Sequence, residues 1–307
     1  MSTTFRLTPR LRWLVVALFT VFAVATPTTA SAVTFGYGDN RPDMFSDPRW
    51  KALPLKDARR TVDWDVQKYP EKLAQLDGWM AAAQGAGAKP ILAIDRSWSA
   101  GQEKKKPTVA QYGALIKFLK GRYPAFKTLI PWNEANYILQ PTVRNPKLAF
   151  QYWQAAKKNC KGCTVTSPAL LAGGTGTSKK FIPAFKKLAG NKIKIWAVHV
   201  YGDQNRLKDT GLKALEKQLK GDIWIAETAA WVKFGDSAAF KYDETRAAKV
   251  TDYIFKSLKK HKRVKKAIFW QWKGDASPLT TRWDSGVLNF DGTERKNYAS
   301  LVKGLKK

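Results

Sequence analysis

Two glutamates stand where apolar runs stop. Leu129-Ile130-Pro131 ends in Trp132-Asn133-Glu134, and Ile223-Trp224-Ile225-Ala226 ends in Glu227. A carboxylate beside an amide and an indole at the mouth of a buried strand is costly to desolvate, and such local costs are usually kept for function. Two carboxyl groups facing each other can divide acid and base work. One, protonated, donates to a leaving oxygen, while the other, ionised, attacks or activates water. The plainer reading of either residue alone is a surface loop that happens to contain Glu.

Such a pair needs strands that end on the same side. Strands are expected at Val33–Gly38, Lys56–Trp64, Lys89–Ile94, Leu129–Pro131, Cys163–Pro168, Lys194–Val198, Asp222–Ala226 and Ala267–Trp272, with helical periodicity between them. The helix at 70–86 places Leu73, Leu76, Trp79 and Met80 on one face, and Thr108 is the expected N-cap of the next. Continuous apolar runs suit parallel strands buried on both faces. The spacing 227 − 134 = 93 residues is three β/α units of 31, close to the roughly 30 each requires. The sequence therefore predicts an α/β fold, a single (β/α)8 TIM barrel over residues 33–307, with its chemistry at the C-terminal ends of the strands. An open doubly wound sheet is the competing architecture, but Phe35-Gly36-Tyr37-Gly38-Asp39 does not open a helix as a phosphate-binding loop would.

Trp132-Asn133-Glu134 resembles the Asn-Glu signature of the large clan of (β/α)8 glycoside hydrolases. That resemblance implies a general acid/base Glu at the end of strand 4 and a nucleophilic Glu at the end of strand 7. Glu134 and Glu227 meet both demands in order, so it implies a retaining double displacement. It also implies supporting roles. Asn133 would bind a sugar hydroxyl. His199 and Tyr201, two residues apart as they leave the sixth strand, would orient the nucleophile or bind sugar. Trp270 or Trp272 would floor the sugar site, the plainer reading of one of the two being that it points into the helix layer. Arg60 on strand 2 is similar to an Arg that steadies the nucleophile in part of the clan. Trp64, Asp65, Arg96, Trp98 and Trp231 are subsite candidates by position. The chain also resembles secreted actinobacterial glycosyl-hydrolase-like proteins, on Asp43-Met44-Phe45-Ser46-Asp47-Pro48-Arg49, Trp132 to Asn136, the Cys160/Cys163 pair, Val198-His199-Val200-Tyr201 and Trp283-Asp284-Ser285-Gly286. It departs from the clan after Glu227, where Thr228-Ala229-Ala230-Trp231 replaces the small Thr-Gly type of turn.

Residues 1–32 read as a secretory signal peptide: Arg6, Arg10 and Arg12, then apolar Trp13 to Ala25, then Ala30-Ser31-Ala32. The apolar run is shorter than the roughly 20 residues of a membrane anchor, and no later stretch qualifies. Export makes a small structural disulfide the preferred reading of Cys160 and Cys163, with two free thiols as the alternative. No second Cys pair or His cluster completes a metal site, and no cofactor is expected. The chain carries +30, or +27 after subtracting the three leader arginines. The basic runs are poor in aromatics, unlike a nucleic-acid site. They read as a solvated outer face with adhesion to anionic cell-wall polymers as a side effect. The expected protein is an extracellular, monomeric glycosidase acting on a saccharide. The competing function is a non-catalytic carbohydrate- or wall-binding protein on the same barrel.

Overall fold

A parallel strand with no polar alternation must be covered on both faces, and the chain does this by closing its sheet. The computed structural model describes residues 1–3, 33–173 and 177–306. The expected signal peptide lies almost wholly outside them. Strands β1 (Thr34–Gly38), β2 (Asp57–Asp63), β3 (Lys89–Asp95), β4 (Thr128–Ile130), β5 (Thr164–Val165), β6 (Leu170–Leu171), β7 (Ile195–His199) and β8 (Asp222–Thr228) are followed by a short β9 (Lys233–Phe234), β10 (Val264–Trp270) and a short β11 (Trp283–Asp284). Their lateral order is β5-β4-β3-β2-β1-β10-β8-β7-β6, with β9 and β11 forming a separate ribbon. The pairings of the large sheet are parallel throughout.

The predicted fifth strand, Cys163–Pro168, shortens to β5, and a second short strand, β6, follows beyond Pro168, a residue without an N–H to offer the ladder. The interruption still closes the barrel. The Thr166 amide donates to Leu129 O at 3.1 Å and the Ser167 amide to Ile195 O at 2.8 Å, so one short stretch touches β4 and β7 together. The (β/α)8 barrel expected from the sequence is thus formed.

Outside the sheet run α1 (Pro48–Ala52), α2 (Pro70–Gly85), α3 (Val109–Arg122), α4 (Pro146–Asn159), α5 (Phe181–Ala189), a single turn α6 (Tyr201–Gln204), α7 (Thr210–Gln218), α8 (Glu244–Leu258) and α9 (Lys296–Leu305). Thr108 caps α3 as expected and completes a capping box with Gln111. None of the described helices is long and apolar enough to cross a membrane.

The barrel interior is lined by small or slender residues, Ile91, Ala93, Ile130, Ala169, Ala197, Ala226 and Ile268. That lining leaves room for one long polar side chain, and Arg59 takes it. The large aromatics lie in the layer between sheet and helices. There Trp132 stacks on Tyr152 at 5.0 Å, Tyr152 stacks on Tyr112 at 4.5 Å, and the Tyr112 hydroxyl donates to Pro131 O at 2.6 Å. Each ring pair contributes about 0.5–1.5 kcal/mol beyond its burial, and together they fix the backbone that carries Asn133 and Glu134. Cys160 and Cys163, just after α4, have Cα atoms 5.5 Å apart and sulfurs at bonding distance, so the pair is placed for a disulfide.

Candidate active site

Glu134 sits in the left-handed region, φ 45°, which residues other than Gly, Asn and Asp rarely adopt. Its neighbours impose this. The Asn133 amide donates to Ile94 O at 2.6 Å and the Ala135 amide to Ala169 O at 2.9 Å, tying the turn to strand ends on both sides. The turn aims the carboxylate inward, where its Oε1 lies 3.0 Å from His199 Nδ1.

Glu227 approaches from β8. Its Oε1 pairs with Arg59 Nη1, and its Oε2 accepts from the Tyr201 hydroxyl at 2.9 Å and lies 3.4 Å from His199 Nδ1. His199 thus stands between the two glutamates, with ligand-capable atoms of all three residues within 4.8 Å of one another. Tyr201 is fully buried; burial first, then the charge of Glu227, raises its phenol well above the usual value. The hydroxyl therefore stays protonated and can only donate to Glu227 in this contact. Tyr201 opens α6 rather than continuing β7, so its nearness to His199 comes from a turn and not from strand alternation.

Arg60 does not join the site. Its guanidinium points to the helix layer, donating to Gln75 O at 2.7 Å and lying 6.0 Å from the Trp79 ring. Arg59, one residue earlier, faces the interior and reaches both Glu227 and Asn133 Oδ1, the latter at 2.7 Å. Side chains alternate along a strand, so a one-residue error in phase exchanges the two arginines. Trp270 is half-buried at the mouth, with the Arg59 guanidinium 5.5 Å from its ring. A Cβ on Gly38 would fall 2.5 Å from that ring, so glycine is what lets the indole lie there. Trp272 turns the other way. It is fully buried against Tyr37 and Trp50, with its indole N–H on Asp47.

Trp231 is also buried, stacked between Tyr201 at 6.3 Å and Phe234 at 4.1 Å, where it backs Tyr201 rather than offering a face to a ligand. Trp64 is buried beneath Lys68. Trp98 remains open, 58% exposed, with Arg96 stacked 4.2 Å from its ring.

Asp95, Gln140 and Arg59 are the polar groups that sequence reasoning missed. Asp95 ends β3, paired in register with Asp63. It accepts from Gln140 Nε2 at 2.9 Å, the Arg96 amide at 2.8 Å, Trp98 Nε1 at 3.1 Å and, more weakly, Asn133 Nδ2 at 3.4 Å. Gln140 in turn accepts from Trp132 Nε1 at 3.0 Å. Asn133 is therefore clamped between Arg59 and Asp95, and one chain of polar contacts runs from Trp132 to Glu227.

Burial pushes the Asp95 carboxyl up to about 6 from 3.8, against the opposing effect of its donors. A carboxyl whose folded value is raised favours the fold most when protonated. Its contribution is complete below about pH 4 and declines as pH rises to about 6, by about 3 kcal/mol at about 1.4 kcal/mol per unit. Denaturant titrations of wild type and Asp95→Asn between pH 4 and 7 should therefore diverge, with wild type losing stability relative to the variant as pH rises. Parallel curves would mean that Asp95 titrates as it does in the unfolded chain.

Glu134, His199 and Glu227 are the described residues whose donor atoms lie close enough to share a cation. One of the two carboxylates already holds a guanidinium and a hydroxyl, so the donor set suits proton transfer between paired groups better than a metal.

Residues 89–293 match the profile of a family described as "Glycosyl hydrolase catalytic core". A sequence search of the curated proteins returns no match. Solved structures share the fold at low identity. Native xylanase 10B from Thermotoga maritima is 13% identical with TM-score 0.62, over 89% of this chain and 95% of that one. GH5_18 from Streptomyces cattleya, solved in complex with GlcNAc, is 14% identical with TM-score 0.64, over 91% and 80%. A family 39 glycoside hydrolase from Bacteroides cellulosilyticus WH2 is 16% identical with TM-score 0.60, over 91% and 64%.

Proposed function

The chain belongs to the glycosyl hydrolase catalytic core family, and from that premise we propose that it is a secreted, retaining glycosidase acting on a β-linked or equivalent saccharide, with Glu227 as nucleophile and Glu134 as acid/base. The observation that carries the reading is the closeness of the two glutamates. Their oxygens, with His199 between them, lie within 4.8 Å. Retaining pairs stand about 5–5.5 Å apart, while inverting pairs stand about 6.5–9.5 Å apart to hold a water.

The division of roles follows from the donors. Glu227 is aimed by Arg59 and Tyr201, from β2 and α6, as a nucleophile must be if it is to meet the anomeric carbon in line. Glu134 has no permanently charged donor among the described residues, which suits the group that must carry a proton to the leaving oxygen. Asn133, fixed by Arg59 and Asp95, offers its amide beside the reacting carbon, and the open face of Trp98 is an outer sugar platform. The xylanase and the GlcNAc complex among the structural neighbours are consistent with a saccharide substrate. The leader-like first 32 residues support export, and export favours the oxidised form of Cys160 and Cys163.

The reading is tested by incubating the protein with a panel of activated aryl glycosides and following the first-formed sugar by proton NMR. The expected product keeps the anomeric configuration of the substrate. Early appearance of the opposite anomer would replace retention with inversion. Binding of a glycan without turnover of any would favour the non-catalytic alternative.

A further inference from the structure

In a (β/α)8 barrel every strand begins, and every outer helix ends, at the face opposite the mouth. In this protein that face is where the positive charge gathers. Helices α3 to α5 and α7 to α9 each carry a cation in the last turn. One such residue per helix is what the negative end of the helix dipole favours. The loops beyond add more: Lys161, Lys192, Lys194, Lys220, Lys260 and Lys262 are all exposed. Lysine ion pairs among the described residues involve Lys72, Lys213, Lys266 and Lys273, none of these six.

Acids are nearly absent from this end. Only Asp57, Glu216 and Asp222 stand in its loops and last helical turns, and the first two are taken, by Lys266 at 2.6 Å and His261 at 2.7 Å. Asp209, just before α7, also reaches His261 Nε2 at 3.6 Å and is paired with Lys213 at 3.1 Å, and the remaining acids lie at or near the mouth or partway along the helices.

The part of the patch that carries Lys192, Lys194, Lys220, Lys260 and Lys262 is continuous. The Asp222 amide donates to Lys194 O at 2.9 Å, the Ile223 amide to Arg263 O at 2.8 Å, and Arg263 Nε to Gly221 O at 2.8 Å, so the loops before β7, β8 and β10 are stitched into one surface. The exposed aromatic rings among the described residues, Trp98 and Phe290, are both elsewhere. The nearest partly buried ring, Trp224, is covered by Lys266 at 4.5 Å, and a surface rich in lysine and without exposed rings supplies point charges but no stacking platform.

We propose that this face is a docking surface for a linear polyanion that lacks aromatic groups, a chain of closely spaced phosphates, and that it holds the protein with its catalytic mouth turned away from the polymer. Docking and catalysis lie at opposite ends of the barrel, so the test does not depend on turnover.

The test measures binding of long-chain inorganic polyphosphate, of polygalacturonate and of oligothymidylate of equal charge, each across a salt series, by the full-length protein. The first variant replaces Lys192, Lys194, Lys220, Lys260 and Lys262 by Gln. The control replaces the mouth-side Lys104, Lys105, Lys106, Lys179 and Lys180 by Gln. Each neutralised charge contributes about 0.7 to the slope of log affinity against log salt on a single-stranded polyanion. The first variant should lower that slope by about 3 and weaken polyphosphate binding at least about tenfold at physiological salt, while the control stays within about twofold. Lys260→Gln with Lys262→Gln alone should give a proportionate part of the effect, which guards against misfolding of the larger variant. Tighter binding of polyphosphate than of polygalacturonate supports a phosphate polymer as the occupant, and equal or tighter binding of polygalacturonate would overturn that choice. Equal weakening by the two variant sets, preference for oligothymidylate, or no polyphosphate binding at low salt would overturn the proposal.

Discussion

Glu227→Ala is expected to abolish turnover of every glycoside, because without that carboxylate no glycosyl-enzyme can form. Glu134→Ala should behave differently. Substrates with poor leaving groups should slow by about 10²–10⁴-fold, the usual worth of a positioned general acid. A dinitrophenyl glycoside needs no proton to depart and should still glycosylate the enzyme, after which the covalent intermediate accumulates. Azide, which needs no general base, should release it as the glycosyl azide of retained configuration. Azide rescue of Glu227→Ala should instead give the inverted azide. Mass spectrometry of the trapped protein and NMR of the azide product distinguish the two outcomes, and the reverse pattern would exchange the roles of the two residues.

The second large effect belongs to Arg59. Its side chain is fully buried and that of Glu227 is 9% exposed, so removing one partner strands the other in a medium that cannot solvate it. Arg59→Ala should lower unfolding free energy by about 3–5 kcal/mol and should remove activity, since both Glu227 and Asn133 lose their anchor. Arg60 is one residue away and buried too, but it holds only a backbone carbonyl and an indole face. Arg60→Gln should cost about 1–2 kcal/mol, the scale of one buried hydrogen bond, and leave kcat close to wild type. Equilibrium denaturation and steady-state kinetics on the two variants would show whether Glu227 depends on one arginine or on both.

The contrast between these neighbours also shows how far a sequence can be read. Strand order, helix positions and the two glutamates were legible because apolar runs, caps and loop lengths repeat at intervals fixed by backbone geometry. The phase of β2 was not. In a half-exposed strand, polar alternation reveals which residues face the core, but Ala58, Arg59 and Arg60 are all buried. Facing is then set by register with β1 and β3, which one strand does not encode. Asp95 was visible as a strand end yet silent as a site residue, because its importance lies in partners brought from Gln140 and Trp98 across loops. Trp231 lay at the right position after Glu227, but the β9–β11 ribbon carries Phe234 and Trp283 over it. A pairing between segments about 50 residues apart leaves no local periodicity to detect.

The backbone at Glu134 has a consequence for how this protein can change over generations. A left-handed non-glycine residue holds about 1–3 kcal/mol of strain, and the substitutions that would relieve it most readily are Gly and Asn, which discard the carboxylate, and Asp, which draws it back by one methylene. Position 134 is thus a place where selection for thermal robustness and selection for activity pull in opposite directions. A lineage released from hydrolysis, and kept only for the surface at the other end of its barrel, would be free to drift to glycine there and would become sturdier as it fell silent.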